Sequence, residues 1–300
     1  MNLLNGLQNL VSVQVKTNEK LSGHTSFHIG GPARYFLTIR NVDELARVIR
    51  FLKRNRIYFF VLGGGTNLLV TDAGIDGAVL KLDGDFKKTE IRGTTLIAGS
   101  AARLAVLLGN AARKGLEGLE FCSGIPGTAG GAVLTNAGTE LGSMSDVIEE
   151  AEIMDGSGRP VKLSKKQLRL SYRGSHVPRG SVITAVRMKL RKGRKSDIMK
   201  KIGYLTEKRK KIQPKQSFSA GSVFKNPSPR ISAGYLIEKA GLKGRRIGGA
   251  VVSRTHANFI VNSRDASATD VIALIDFVRK EVKRQCGISL ELELRVEGRV

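Results

Sequence analysis

The chain has 300 residues, 41% hydrophobic and 25% charged, with a formal net charge of +24. That length is a soft prior for about two domains of ~100–200 residues, and the apolar content is enough for packed cores. No apolar run reaches the ~18–20 residues of a membrane helix, no secretory signal pattern opens the sequence, and Cys122, Cys286 and the four histidines show no metal-ligand spacing.

Residues 1–20 read as a short amphipathic helix leading into extended chain. Gly30-Gly31-Pro32 is a turn, and 34–39 continues as a strand. Asn41 is placed to cap a helix, with Glu44 as the return half of a capping box. Val42, Leu45, Val48, Ile49 and Leu52 give that helix an apolar face. The strand 58–62 runs straight into Gly63-Gly64-Gly65, then Thr66-Asn67 and a further strand, 68–70. Strand followed by glycine turn suits a phosphate site, yet the spacing is neither a dinucleotide fingerprint nor a Walker loop. Strands are expected at 77–82 and 94–98. Ser100 is placed to cap a helix over 101–114, which Gly115 ends.

Next comes Gly124-Ile-Pro-Gly-Thr-Ala-Gly-Gly-Ala-Val-Leu-Thr-Asn-Ala-Gly138, with five glycines in fifteen residues. Glycine costs backbone entropy and packs nothing, so the run is a poor helix or strand throughout. It suits close approach of backbone N–H groups to an oxygen-rich anion such as a diphosphate, with Thr128 and Asn136 adding short polar side chains. Taken alone it fits a structural turn equally well. Paired with Gly63-Gly64-Gly65, it points to a cofactor.

Strands are expected at 146–154 and 181–190, with Tyr172-Arg173 at a loop edge between them. Residues 191–216 carry eleven basic side chains against Asp197 and Glu207, most of them on a helix over 195–212. No nucleic-acid motif accompanies the charge, so steering of an anionic substrate or a solvated surface explains it better. In Gln216-Ser-Phe-Ser-Ala-Gly-Ser-Val-Phe-Lys-Asn-Pro227, Ser222 stands in a short glycine-containing loop with no nucleophile elbow. A serine donates a proton only to a strongly basic carbanion or enolate. Ser232 caps a helix over 233–240, strands are expected at 248–252 and 258–261, and Ser267 caps a helix over 270–284. The last strand, 289–296, alternates Leu290, Leu292, Leu294 and Val296 with Glu291, Glu293 and Arg295, ordinarily a solvated edge.

Together, His24-Thr-Ser-Phe-His-Ile-Gly-Gly-Pro-Ala33, Leu62-Gly-Gly-Gly-Thr-Asn-Leu-Leu-Val70, the 124–138 run, Ser171-Tyr-Arg-Gly-Ser175, Ala220-Gly-Ser-Val-Phe-Lys-Asn-Pro227, His256-Ala-Asn-Phe-Ile-Val261 and Leu292-Glu-Leu-Arg295 resemble the UDP-N-acetylenolpyruvoylglucosamine reductase family. The resemblance spans about 18–298. It implies an α+β fold: a two-lobed FAD-binding domain of the vanillyl-alcohol oxidase type (1–83 and 84–195), then a substrate-binding domain (196–300). It implies non-covalent FAD held by Gly63, Gly64, Gly65, Thr66, Asn67, Gly127, Thr128, Gly130, Gly131, Asn136 and Gly138, with NADPH as hydride donor. Reduction of UDP-N-acetylglucosamine enolpyruvate to UDP-N-acetylmuramate, in peptidoglycan precursor synthesis, would use Ser222 as proton donor and Arg173 and Glu293 to stabilise an enolate. Tyr172, Lys225 and Asn226 would contact substrate. Ser222 follows Arg173 by only 49 positions, so this resembles the shorter branch without a lid insertion. A cytoplasmic monomer without nucleic-acid or membrane partners is expected. The alternatives are another FAD-linked oxidoreductase on the same fold and a basic nucleic-acid-binding protein.

Overall fold

A computed structural model of the protein describes residues 3–214 and 218–299. Lys215 of the basic run, and Gln216 and Ser217 at the start of the serine loop, lie outside the described residues. The chain divides into two compact units. One comprises Met1–Thr17, Arg34–Gly64 and Gly77–Arg209; the other comprises Asn18–Ala33, Gly65–Asp76 and Lys210–Val300. The first division after the upstream strand falls inside the glycine triplet, between Gly64 and Gly65.

Phe59–Leu62 pairs parallel with Ile75–Leu82, in a four-stranded sheet ordered Lys16–Lys20, Pro32–Ile39, Ile75–Leu82, Phe59–Leu62, most of whose residues belong to the first unit. Helix Val42–Arg54 buries Leu45, Val48, Ile49 and Leu52 in the same apolar cluster as Leu37, Leu80 and Phe86. Asn41 caps it by accepting the Glu44 N–H at 2.9 Å. The return half of the box is not made. Glu44 is buried, and its carboxylate accepts the N–H of Arg40 at 2.7 Å and of Ser12 at 3.1 Å, so a tertiary demand takes the local partner. Val42, at the helix start, stays exposed rather than joining the apolar face.

A second core in this unit lies on a five-stranded antiparallel sheet. Its order is Pro160–Ser164, Ile148–Met154, Val182–Lys189, Thr95–Gly99, Thr89–Arg92. The helix expected from Ala101 runs Leu104–Arg113 and has no side-chain cap. Ser100 is not its cap, because its backbone already serves the sheet and the glycine run. Its N–H donates to Thr184 O at 2.9 Å and its carbonyl accepts Gly130 N–H at 2.8 Å. Gly115, at φ +65°, ends the helix as expected. The 146–154 strand begins later than expected, at Ile148, because 144–147 make a capped helical turn.

The second unit packs helices Ala233–Lys239 and Ala268–Cys286 against the strands Arg246–Ile247, Ala250–Val252 and Ile260–Asn262. Ser232 and Ser267 cap the two helices as expected. Asp72 reinforces the longer helix. Its carboxylate accepts Ala268 N–H at 2.8 Å, Thr269 N–H at 3.0 Å and the Thr269 hydroxyl at 2.8 Å. The expected 289–296 strand is regular only at Arg295–Glu297, which pairs parallel with Leu68–Val70. A bend at Leu294 breaks the alternation, so Glu291 is exposed while Glu293 is half-buried.

Candidate active site

In the first unit, residues of the downstream glycine run do three different jobs. Thr128 caps a six-residue helix, Ala129–Leu134, by accepting Gly131 N–H at 3.4 Å, so the middle of the run is helical after all. Gly130 is a packing glycine, since a Cβ there would lie 2.9 Å from Ser100 Cβ. Gly138 packs too, with a built Cβ only 2.5 Å from Ser143 Cβ. Gly63 is different. A Cβ there would meet only the Thr128 hydroxyl, at 3.1 Å, so the two glycine segments bring a bare backbone and a hydroxyl together. The Lys81 ammonium donates to the Gly63 carbonyl. Burial, then the cations of Lys87 and Arg103, lower its pKa.

The fit to a flavin diphosphate rests on these features. Bare backbone, a hydroxyl and a cation converge at Gly63. The buried hydroxyls of Ser100, which packs on Gly130, and of Ser123, just before the run, find no hydrogen-bond partner among the described residues. An oxygen-rich anion supplies acceptors for such groups. Gly64 and Gly127 lie in the same two loops, Gly127 at φ +136°.

Asn136 faces elsewhere. It is buried at φ +41°, its Nδ2 donates to Ser171 O at 2.9 Å, and its Oδ1 accepts Ser145 N–H at 2.9 Å. It thus braces the loop that carries Tyr172 and Arg173. That loop is tight: Ser171 and Gly174 exchange backbone hydrogen bonds of 3.0 and 3.2 Å. Arg173 sits at φ +56°, a conformation that costs a non-glycine residue about 1–3 kcal/mol and is typically held at functional sites. Its Nη1 donates to Gly138 O at 3.0 Å, and its guanidinium lies 5.5 Å from the exposed Tyr172 ring. Arg209 comes to the same side, with its Cδ 3.0 Å from a Cβ built on Gly124. Burial depresses the pKa of Arg209, Glu140 and Cys122 raise it, and Arg173 depresses it further. Burial also pushes the Cys122 thiol up to about 12, so Cys122 is a packed residue and no nucleophile.

In the second unit, Ser222 follows Gly221, whose φ of +76° turns the chain sharply. Asn258, buried, locks the two residues after Ser222. Its carbonyl accepts Val223 N–H at 2.9 Å, its Oδ1 accepts Phe224 N–H at 2.9 Å, and its Nδ2 donates to Phe224 O at 2.8 Å. The N–H groups of Glu293 and Leu294 donate to Val223 O at 2.9 and 3.2 Å. Two residues far apart in sequence, Ser222 and Glu293, are therefore held one hydrogen bond from each other's backbone neighbourhood. Lys225 pairs with the exposed Glu291 at 3.4 Å, and Asn226 Oδ1 accepts Ala233 N–H at 3.1 Å. Gly65, Thr66 and Asn67 belong to this unit. Gly65 O accepts Ser26 N–H at 3.0 Å, and the Asn67 side chain donates to Glu293 O at 3.0 Å. His28 stacks on Phe218 with ring centroids 3.8 Å apart.

Three residues here had no role in the sequence reading: Lys81, Asn258 and, within the basic run, Arg209 individually. Lys81 carried a signal as a cation in an otherwise apolar strand, Asn258 as part of the His256–Val261 motif, and Arg209 only as one of many cations in the basic run.

The FAD binding domain family matches residues 33–164, and the family of UDP-N-acetylenolpyruvoylglucosamine reductase C-terminal domains matches 213–297. The UDP-N-acetylenolpyruvoylglucosamine reductase of Lachnoclostridium phytofermentans is 42% identical over 302 residues, 99% of this chain and 97% of that one. The crystal structure of the reductase from Thermus caldophilus aligns at a TM-score of 0.83 and 39% identity, covering 94% of this chain and 98% of that one. Berberine bridge enzyme from Eschscholzia californica aligns at a TM-score of 0.50 and 17% identity, covering 65% of this chain and 44% of that one, and shares the fold alone. The α+β FAD-binding fold expected from the sequence is the one these structures have.

Proposed function

Because the chain belongs to the UDP-N-acetylenolpyruvoylglucosamine reductase family, we propose that Arg173, Ser222 and Glu293 carry the second half of its reaction. The chain is an FAD-dependent oxidoreductase that reduces UDP-N-acetylglucosamine enolpyruvate to UDP-N-acetylmuramate with NADPH, in peptidoglycan precursor synthesis. Bound FAD would supply the hydride chemistry, relaying the hydride of NADPH to the β-carbon of the enolpyruvyl group. The electron pair displaced from the double bond then develops at the α-carbon and spreads into the carboxylate. Arg173 is always charged and held in a strained loop, so it offers a fixed fork to those oxygens. Such preorganised donors contribute roughly 2.7–4 kcal/mol each in comparable oxyanion sites. Ser222 gives its hydroxyl proton to the α-carbon, which is basic enough to take it. Glu293, as the neutral acid, donates a hydrogen bond to the enolate oxygen.

The observation that carries this reading is the backbone link between Val223 and Glu293, which gathers a proton donor and an acid in one unit. Gly63, Gly64, Gly65, Thr66, Gly127, Thr128 and Gly131 would hold the cofactor diphosphate, and Lys81, which donates to the Gly63 carbonyl, would add a cation. Tyr172, Lys225 and Asn226 meet the substrate. Residues 1–83 and 84–195 hold FAD, and 196–300 hold the UDP-sugar. No helix among the described residues is long and apolar enough to cross a membrane. We place the chain in the cytoplasm as a monomer, where its nucleotide-sugar and NADPH substrates are made.

Stopped-flow absorbance separates the half-reactions. Ser222→Ala slows reoxidation by the enolpyruvyl substrate by orders of magnitude, far more than it slows flavin reduction by NADPH. Equal slowing of both halves would make Ser222 structural. A Glu293→Gln enzyme with a wild-type second half would remove Glu293 from the mechanism.

A further inference from the structure

We propose that Asn67 is a positioning residue for Glu293: its side-chain amide fixes the backbone from which that carboxyl projects. The inference rests on the role given to Glu293 in the proposed reaction.

Glu293 lies between the end of helix Ala268–Cys286 and the short strand Arg295–Glu297, in a stretch paired through the isolated antiparallel bridge of Leu292 with Phe224. An isolated bridge holds φ and ψ less firmly than a continuous ladder. Two hydrogen bonds fix the backbone of Glu293 itself. On one side, Glu293 N–H donates to Val223 O at 2.9 Å. On the other, Asn67 Nδ2 donates to Glu293 O at 3.0 Å. With both backbone polar groups of one residue anchored, the direction of its Cα–Cβ bond is set. Asn67 then binds the same segment a second time, through its own carbonyl, which accepts Arg295 N–H at 3.2 Å. The next residues, Leu68–Val70, pair in parallel register with Arg295–Glu297.

The consequence reaches beyond a local brace. Gly65, Thr66 and Asn67 are three consecutive residues. The first two are assigned to the cofactor. The third spends its side chain on the acid. Any movement of this loop on cofactor binding is passed to Glu293 through a neutral, non-titrating amide. The cofactor and the acid are thereby placed by one short piece of chain. A carboxyl needed within a fraction of an ångström of an enolate gains from that arrangement, since a misplacement of about 1 Å costs up to ~100-fold in rate.

The test uses the FAD-loaded enzyme, with rates normalised to bound flavin. Asn67→Ala slows the enolpyruvyl half-reaction by about 10- to 100-fold more than it slows flavin reduction by NADPH. The double variant Asn67→Ala/Glu293→Gln is slower than Glu293→Gln alone by much less than that factor, because the brace has nothing left to place. Independently of activity, amide hydrogen exchange of Glu293 and Arg295 accelerates in Asn67→Ala. Asn67→Asp, which keeps the shape and loses the donor, repeats these measurements if Asn67→Ala does not accumulate as folded protein. Equal slowing of the two half-reactions, loss of flavin as the main defect, or unchanged exchange at Glu293 overturns the inference and returns Asn67 to the cofactor. If Glu293→Gln alone runs at the wild-type rate, the role of Glu293 fails instead, and the exchange rates then decide whether Asn67 holds this segment.

Discussion

Replacing Asn136 by alanine tests whether this residue supports the arginine loop. The side chain makes two hydrogen bonds, to Ser171 O and from Ser145 N–H, both at 2.9 Å. Each is worth a net ~0.5–1.5 kcal/mol. Asparagine also tolerates the φ of +41° found here, whereas alanine meets a left-handed penalty of about 1–2 kcal/mol. Together the loss is about 2–5 kcal/mol, large for one residue. Asn136→Gly loses the same hydrogen bonds without the backbone penalty and sits about 1–2 kcal/mol above alanine. Urea denaturation of the three proteins gives both numbers. At the site, loosening Ser171 frees Arg173, so the second half-reaction slows more than FAD affinity falls. If Asn136→Ala binds FAD poorly but keeps its stability and its second half-reaction, Asn136 touches the cofactor and the bracing argument is wrong.

Single contacts set the other expectations. Gly63→Ala puts a methyl 3.1 Å from the Thr128 hydroxyl and lowers FAD content with little loss of melting temperature. Gly130→Ala meets Ser100 Cβ at 2.9 Å and costs about 1–3 kcal/mol of stability; the opposite ranking in parallel melts and flavin assays refutes the division of labour. Lys81 has a pKa lowered from 10.5, so part of its charge is lost as pH rises towards that value, and a bound diphosphate restores it. FAD affinity therefore weakens with rising pH in the window between the lowered and restored values, by at most about tenfold per unit. Lys81→Met flattens that slope in fluorescence titrations, and an unchanged slope removes Lys81 from the cofactor site. For Asp72, burial raises the carboxyl pKa, but the hydrogen bonds from Ala268 and Thr269 outweigh it and leave the pKa below 3.8. Its stabilisation is present above 3.8 and is lost as pH falls through the folded value. Asp72→Ala should cost about 1–2 kcal/mol at pH 7, and the gap to wild type should close in strong acid.

The caps at Asn41, Ser232 and Ser267 are legible in sequence because a side chain and an N–H three residues on settle them. Ser100 has the same local look, yet Thr184 of a distant strand and Gly130 of a distant helix claim its backbone, and nothing near Ser100 in sequence announces either partner. Glu44 fails as a capping-box acid for the same reason: Ser12 and Arg40 reach its carboxylate first. The glycine runs signal an anion site through composition, but composition does not separate Gly63, where a Cβ would meet one hydroxyl, from Gly130, where it would meet the Ser100 side chain and backbone. Arg173, Ser222 and Glu293 come from motif order alone. Their supports, Asn136, Asn258 and Asn67, are tertiary amides with no periodicity to betray them.

The charge excess divides the same way. Among the described basic residues of the 191–216 run, only Arg209 is not exposed. The others meet water, where a cation costs little and contributes little to binding an anion beyond steering. Arg209 instead turns towards Gly124, where burial chiefly lowers its pKa, Glu140 and Cys122 oppose that, and the like charge of Arg173 adds to it. A half-buried guanidinium that has lost hydration and feels a further like charge raises the energy of the empty protein, as does the strained backbone of Arg173. A bound anion removes the repulsion and keeps the strained loop in place, so part of its binding energy appears as relief of a cost already built into the fold. Stability should then rise with ligand concentration as RT ln(1 + [L]/Kd). In Arg209→Met the free protein is as stable as wild type or more so, while the stabilisation by ligand shrinks. A variant less stable in the free state but equally stabilised by ligand would show that Arg209 packs the loop and does not receive the anion.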